Sequence, residues 1–187
     1  VILFVGGLDR AHYFKGVDVL IEALRILKER GVEFQCRIVG DGDLRAKYER
    51  QAKDSPSAEG LSLAEFPGLI SHDELPEYYS RASVVVVPST SRVECFSIVA
   101  AEAQACGVPV VISDFPGARI TIENKVTGLL VRPGDPQDLA RALFEIIKNI
   151  SEAKKMGFEG RKRMERLFSW NVVGDKLNQV YESLRHS

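Results

Sequence analysis

Glu94 and Glu102 bracket the start of an alanine-rich stretch, with seven residues between them. Val84-Val85-Val86-Val87-Pro88-Ser89 precedes them and Gly107-Val108-Pro109-Val110-Val111 follows, so the order is strand, loop, helix, turn, strand. At the carboxyl edge of a parallel sheet such a unit binds phosphates. A helix beginning near Ser97 offers the unpaired backbone N–H groups of Phe96, Ser97 and Ile98. Its dipole favours an anion there by roughly 0.3–2 kcal/mol. Glu102 lies more than a turn further in, among Ala100, Ala101, Ala103 and Ala105, whose small side chains let the helix approach its neighbours. A carboxylate in that setting can accept both hydroxyls of a ribose. Glu94 precedes the helix, where it can face a sugar ring or the positive charge of a developing oxocarbenium ion. Spacing alone fits an exposed helical glutamate and a loop glutamate equally well.

A second group of residues lies in the first polar loop, Gly6 to Gly16. Lys15, just before a helical pattern, is placed to act as a point charge on phosphate. Arg10 or His12 can supply a second positive or donor group. Three cysteines (Cys36, Cys95 and Cys106) are widely spaced, with no CxxC and no histidine partner nearby, so they read as reduced thiols of a cytosolic protein and not as a metal site. His72 and His186 read as solvated loop and tail residues. Arg161, Lys162, Arg163 and Arg166 read as the wet face of a helix, the alternative being contact with an anionic membrane surface.

The elements that must hold these residues are legible as alternation. Strand runs at Val1–Val5, Phe34–Val39, Leu61–Phe66, Ser83–Val87, Val108–Ile112 and Thr127–Val131 alternate with helical periodicity at Asp18–Arg30, Leu44–Lys53, Asp73–Ser80 and Ile98–Ala105. Ser55–Gly60 is a loop, and Ser71 or Asp73 caps the third helix. Three further helices follow, Gln137–Ile150, Ser151–Leu167 and Trp170–Leu184. This order predicts one α/β domain over residues 1–187, a Rossmann-like doubly wound parallel sheet. A length of 187 residues allows one full core, and a net charge of −1 gives no nucleic-acid footprint. The longest apolar runs are strand-length, far short of a membrane span. The chain opens directly on a buried-strand pattern with no leader, which reads as a piece of a longer polypeptide.

The residues around the two glutamates resemble a family motif. Pro88-Ser89, Glu94, Cys95-Phe96-Ser97, Glu102, Ala103, Ala105, Gly107, Pro109 and Val110 match, in one register, the donor-sugar motif of the retaining glycosyltransferases of the GT-B fold, the group called family 4 or group 1. Lys15-Gly16 matches that family's Lys-Gly, Gly40-Asp41-Gly42 its Gly-x-Gly, and Phe66-Pro67-Gly68-Leu69-Ile70 the segment whose backbone meets the nucleobase. The resemblance implies the C-terminal, donor-binding half of such an enzyme, without its N-terminal acceptor domain. It implies a retaining, metal-independent transfer of a hexose from a nucleotide sugar, UDP- or GDP-linked first, to a glycan, lipid or small-molecule acceptor, in the cytoplasm. No cofactor other than that donor is implied.

By resemblance, Glu102 holds the ribose and Glu94 the transferred sugar, with Lys15 on the diphosphate. Gly7, Arg10, Gly42, Ile70, Phe96, Ser97 and Ile98 line the nucleotide. The chain departs from the family at Gly7, where an arginine is usual, and at Cys95 and Ser97, where glycines are usual. Ile120 and Lys125 replace an acidic residue and a glycine. Phe168-Ser169-Trp170, with Val173, Leu177, Val180, Tyr181 and Leu184, resembles the closing helix that packs toward the other domain. Three other readings stay open. A dehydrogenase domain would need G-x-G-x-x-G after the first strand, which Gly6-Gly7-Leu8-Asp9 does not supply. The others are a non-catalytic nucleotide-binding module, and a sugar phosphorylase or epimerase on the same fold.

Overall fold

The computed structural model describes residues 1–53, 62–93 and 95–185. Six parallel strands form its sheet: β1 (Ile2–Val5), β2 (Cys36–Val39), β3 (Glu65–Gly68), β4 (Val84–Val87), β5 (Val110–Ser113) and β6 (Gly128–Val131), in the order β3-β2-β1-β4-β5-β6. The chain winds outward from β1 to β3 and then crosses back to β4. The order therefore reverses between β1 and β4, and a crevice opens above their carboxyl ends.

Alternate residues of each strand face opposite layers, as the period of two requires. Ile2 and Phe4 pack with α1 (Val17–Glu29), α2 (Arg45–Lys53) and α6 (Pro136–Lys148), through Leu20, Leu24, Leu27, Tyr48 and Leu143. Leu3, Val85, Val87 and Ile112 pack on the other face with α3 (Leu75–Arg81), α4 (Ile98–Ala105) and α5 (Ala118–Thr121). The long α7 (Ile150–Phe168) lies against α4. Helix α8 (Trp170–Arg185) buries no side chain and leaves Trp170, Leu177, Val180, Tyr181 and Leu184 exposed. No helix among the described residues is long and apolar enough to cross a membrane.

Most element bounds agree with the sequence pattern to within two residues. The third strand is displaced. It was expected over Leu61–Phe66, but pairs with β2 over Glu65–Gly68, so it includes Pro67. An edge strand tolerates a proline because its outer N–H has no ladder partner to lose. Leu61 and the Ser55–Gly60 loop lie outside the described residues. Neither Ser71 nor Asp73 caps α3 through its side chain. Instead the Glu74 carboxylate accepts from the Ser71 backbone N–H at 3.3 Å and from its hydroxyl at 2.5 Å.

The first loop is not irregular throughout. Arg10–Lys15 winds as a 3₁₀ helix, capped by the Asp9 side chain, which accepts from the His12 N–H. Its end is the left-handed Gly16, which opens α1. The departure at Lys125 also has a physical counterpart: this residue sits at φ 66°, the left-handed region that glycine occupies without steric cost.

Candidate functional site

Backbone hydrogen bonds join the loops above the sheet into one floor. The Leu8 N–H donates to Asp41 O at 3.0 Å, Leu44 N–H to Leu8 O at 2.8 Å, and Gly40 N–H to Gly68 O at 2.9 Å. These bonds unite the loops after β1, β2 and β3. The Thr90 N–H donates to Phe14 O at 2.7 Å, which ties the loop after β4 to the first loop. Gly42, at φ 153°, lies so close to this floor that a Cβ there would sit 2.4 Å from the Leu8 carbonyl carbon. The loops carrying Lys15 and the start of α4 therefore meet at the reversal point between β1 and β4.

Helix α4 runs over Ile98–Ala105, as its sequence pattern predicts. Ser97 is the N-cap, 2% exposed, and its Oγ accepts from the Ala100 N–H at 3.2 Å. The first two helical N–H groups, of Ile98 and Val99, have no intrahelical acceptor. Val99 is thus a donor that the sequence reading missed. Phe96 precedes the cap, and its ring meets Phe168 edge-on at 5.5 Å. Cys95 is exposed. Glu94 lies outside the described residues.

Glu102 is half-buried one turn inside α4, and its Oε2 accepts from the Tyr79 hydroxyl at 2.8 Å. Burial, and then that hydrogen bond, push the Tyr79 phenol well above its ordinary pKa. A cleft of about 780 Å³ opens beside Glu102, between α4 and the junction of α7 with α8, lined by Phe96, Ile98, Met164, Phe168 and Trp170. Sequence reasoning found Glu102 but not its partner. Tyr78 and Tyr79 are adjacent in the chain, and only the phase of α3 against the sheet tells them apart.

Lys15 closes the 3₁₀ helix with its Nζ 5.5 Å from the centre of the Phe14 ring. Arg10 pairs with Asp43, its Nε 3.1 Å from Oδ2, on a well-exposed edge. His12 Nδ1 lies 2.9 Å from the Asp9 carboxylate. The side-chain hydrogen bond with His12 holds the Asp9 carboxyl below its usual range. His12 also covers Gly7: a Cβ at that glycine would come within 2.8 Å of Nδ1. Ile70 is half-buried against the second core layer, beside the exposed Leu69. Three of the four basic side chains singled out on α7 are engaged, Arg161 with Glu165, Lys162 with Glu159, and Arg163 with Ile120 O. No group of three or more His, Cys, Asp or Glu side chains among the described residues could hold a metal.

Comparison with known proteins gives this arrangement a context. The family described as glycosyl transferases group 1 matches residues 1–163. An uncharacterized glycosyltransferase of Methanocaldococcus jannaschii is 34% identical over 182 residues, which are 97% of this chain and 48% of that protein. Among solved structures, a sucrose-phosphate synthase from Thermosynechococcus elongatus superposes with a TM-score of 0.83 at 34% identity, over 99% of this chain and 45% of that one. The Anabaena protein HepE, solved in complex with UDP, superposes with a TM-score of 0.85 at 22% identity, over 97% of this chain and 48% of that one. This last likeness is one of fold. The chain spans about half the length of the curated relatives it matches.

Proposed function

The chain belongs to the glycosyl transferases group 1 and has the Rossmann-like fold of GT-B glycosyltransferases; from that premise we propose that it is the C-terminal, nucleotide-sugar-binding half of a retaining, metal-independent hexosyltransferase. The carrying observation is the convergence at the sheet's reversal point. There the Thr90–Phe14 backbone bond joins the loop that ends in Lys15 to the loop leading into α4, the helix that carries Glu102 one turn in. In this reading the diphosphate lies against Ile98 and Val99 N–H, with Lys15 as counter-charge. The ribose lies one turn along, at Glu102. Ile70 and Gly42 flank the base from their loops, and Phe96 and Ser97 border the phosphates. HepE binding UDP supports a nucleotide in this fold, and a UDP- or GDP-linked hexose is the donor we favour.

Arg10 and His12 are the two candidates for a second positive or donor group beside Lys15. Each already meets a carboxylate, Arg10 that of Asp43 and His12 that of Asp9, and of the two it is His12 that lies beside Gly7. We favour His12, which covers Gly7, as the group that stands in for the arginine. When the glycosidic bond breaks, Lys15, His12 and the helix amides stabilise the departing diphosphate, as a metal does in other folds. Glu94 faces the sugar and the developing oxocarbenium charge. The acceptor hydroxyl, delivered by the other half of the enzyme, attacks on the face the leaving group vacates, and the phosphate takes its proton.

Calorimetric titration of the chain with UDP, GDP and ADP, in the presence of EDTA, tests the metal-free site. Binding to at least one of them is expected. Heat that develops only after Mn²⁺ or Mg²⁺ is added would refute the metal-free assignment.

A second expectation concerns turnover. Catalysis on this fold needs two domains closed over one cleft, which excludes water and orients the attacking hydroxyl. These 187 residues should bind donor yet transfer no sugar, with slow donor hydrolysis at most. Incubation with UDP- and GDP-hexoses across a panel of acceptors decides this. Efficient glycoside formation by the chain alone would overturn the half-enzyme reading.

A further inference from the structure

Tyr79 is the single buried side chain of α3, 1% exposed, its ring set in the core layer that also holds Ala100 and Ala103 of α4. Its hydroxyl ends 2.8 Å from Glu102 Oε2. Among the described residues Glu102 makes no ion pair and no other side-chain hydrogen bond, so this phenol is its one fixed point. Its helix neighbours do not hold it: Ile98, Val99 and Ala105 are apolar, and the Cys106 thiol is only a weak donor. Without the phenol, a glutamate with three rotatable bonds would sweep the cleft toward Phe168 and Trp170.

We propose that Tyr79 is a positioning residue: it fixes the Glu102 carboxylate so that the remaining oxygen meets the ribose 2′-hydroxyl, which makes the site selective for ribonucleotides. The inference rests on the reading of Glu102 as the ribose acceptor. Three physical points carry it. A carboxylate only accepts hydrogen bonds, and one oxygen engaged by Tyr79 leaves Oε1 open to a ligand donor. A side chain already held in its binding rotamer loses little freedom when the ligand arrives. A neutral donor orients the carboxylate without cancelling its charge, which a lysine or arginine in that place would do. The raised phenol pKa keeps the hydroxyl a donor through the neutral and mildly alkaline range.

Tyr79→Phe removes one oxygen and keeps the buried ring, so the fold should survive. The test is titration of the chain and its variants with UDP, GDP and ADP and with their 2′-deoxy counterparts. The unsubstituted chain should prefer the ribose form. Tyr79→Phe should weaken that form roughly 3–10-fold, the ordering cost of one long side chain, and leave the 2′-deoxy form unchanged. Glu102→Ala should abolish the preference by itself, and adding Tyr79→Phe to it should change nothing more. A purely structural Tyr79 would instead lower the melting temperature and weaken both forms equally, which would overturn the proposal. If the unsubstituted chain binds none of the three nucleotides, the reading of the site falls and this inference with it. If it binds with a ribose preference that Tyr79→Phe retains, only the inference falls. The buried hydroxyl proton gives a measurement that needs no variant of Tyr79. Its resonance should shift on nucleotide binding and disappear into fast exchange in Glu102→Ala, and indifference to both would also overturn the assignment.

Discussion

Glu102→Ala is expected to weaken the binding of a nucleoside diphosphate by about 1–3 kcal/mol, roughly 5–150-fold in affinity. The magnitude follows from what the substitution leaves behind. The ribose 2′-hydroxyl would lie against α4 with no acceptor, in a cleft already walled by Ile98, Phe168 and Trp170. The Tyr79 hydroxyl, buried and directed at the lost carboxylate, would lose its acceptor as well. An exposed helical glutamate would show no such effect, since surface substitutions of that kind stay within about 0.5 kcal/mol. The same titration separates the two glutamates. Glu94→Ala should leave free nucleotide affinity nearly unchanged and act on donor-sugar binding, or on turnover in the longer enzyme. A reversed pattern, or silence at both positions, would mean that the roles are misassigned.

The fold was legible because its strands are nearly continuous apolar runs and its helices carry clean helical periodicity, the signature of a sheet buried on both faces. What escaped was decided by contacts distant in sequence. The 3₁₀ helix Arg10–Lys15 buries no side chain and depends on the Asp9 cap and on the loop after β4, so no apolar pattern announces it. The register of β3 is set by its partner strand β2 and not by its own residues, since Glu65 and Pro67 would each argue against a strand. At the site, the types and spacing of Lys15, Ser97 and Glu102 were readable. The partner of Glu102 was not, because Tyr79 reaches it across 23 residues and two helices. Likewise the carboxylate that meets Arg10 comes from Asp43 in the loop after β2, a pairing that no local pattern announces.

Gly16→Ala is expected to be strongly destabilising. Gly16 stands at φ 72° and ψ 34°, where a side chain costs about 1 kcal/mol in backbone strain alone. The larger penalty is steric: a Cβ there would lie 2.0 Å from the Pro88 carbonyl oxygen and 2.9 Å from its carbon. Both are backbone atoms of the loop between β4 and α4, so neither can swing aside as a side-chain tip would. Overpacking of that kind adds about 1–3 kcal/mol, for a total of roughly 2–4 kcal/mol. At this chain length each kcal/mol shifts the melting temperature by roughly 2–4 °C, so a fall of about 4–16 °C is expected. Gly31 supplies the control. It too is left-handed, at φ 68°, but nothing lies within 4 Å of the Cβ it lacks. Gly31→Ala should therefore cost only the backbone part, about 1 kcal/mol, and leave nucleotide binding alone. Gly16→Ala should also loosen the nucleotide, because the contact that yields joins Lys15 to the loop leading into α4. Differential scanning calorimetry of the two variants, with and without the tightest-binding nucleoside diphosphate, measures both effects. Equal melting shifts for Gly16→Ala and Gly31→Ala would show that the close approach to Pro88 does not constrain the crevice.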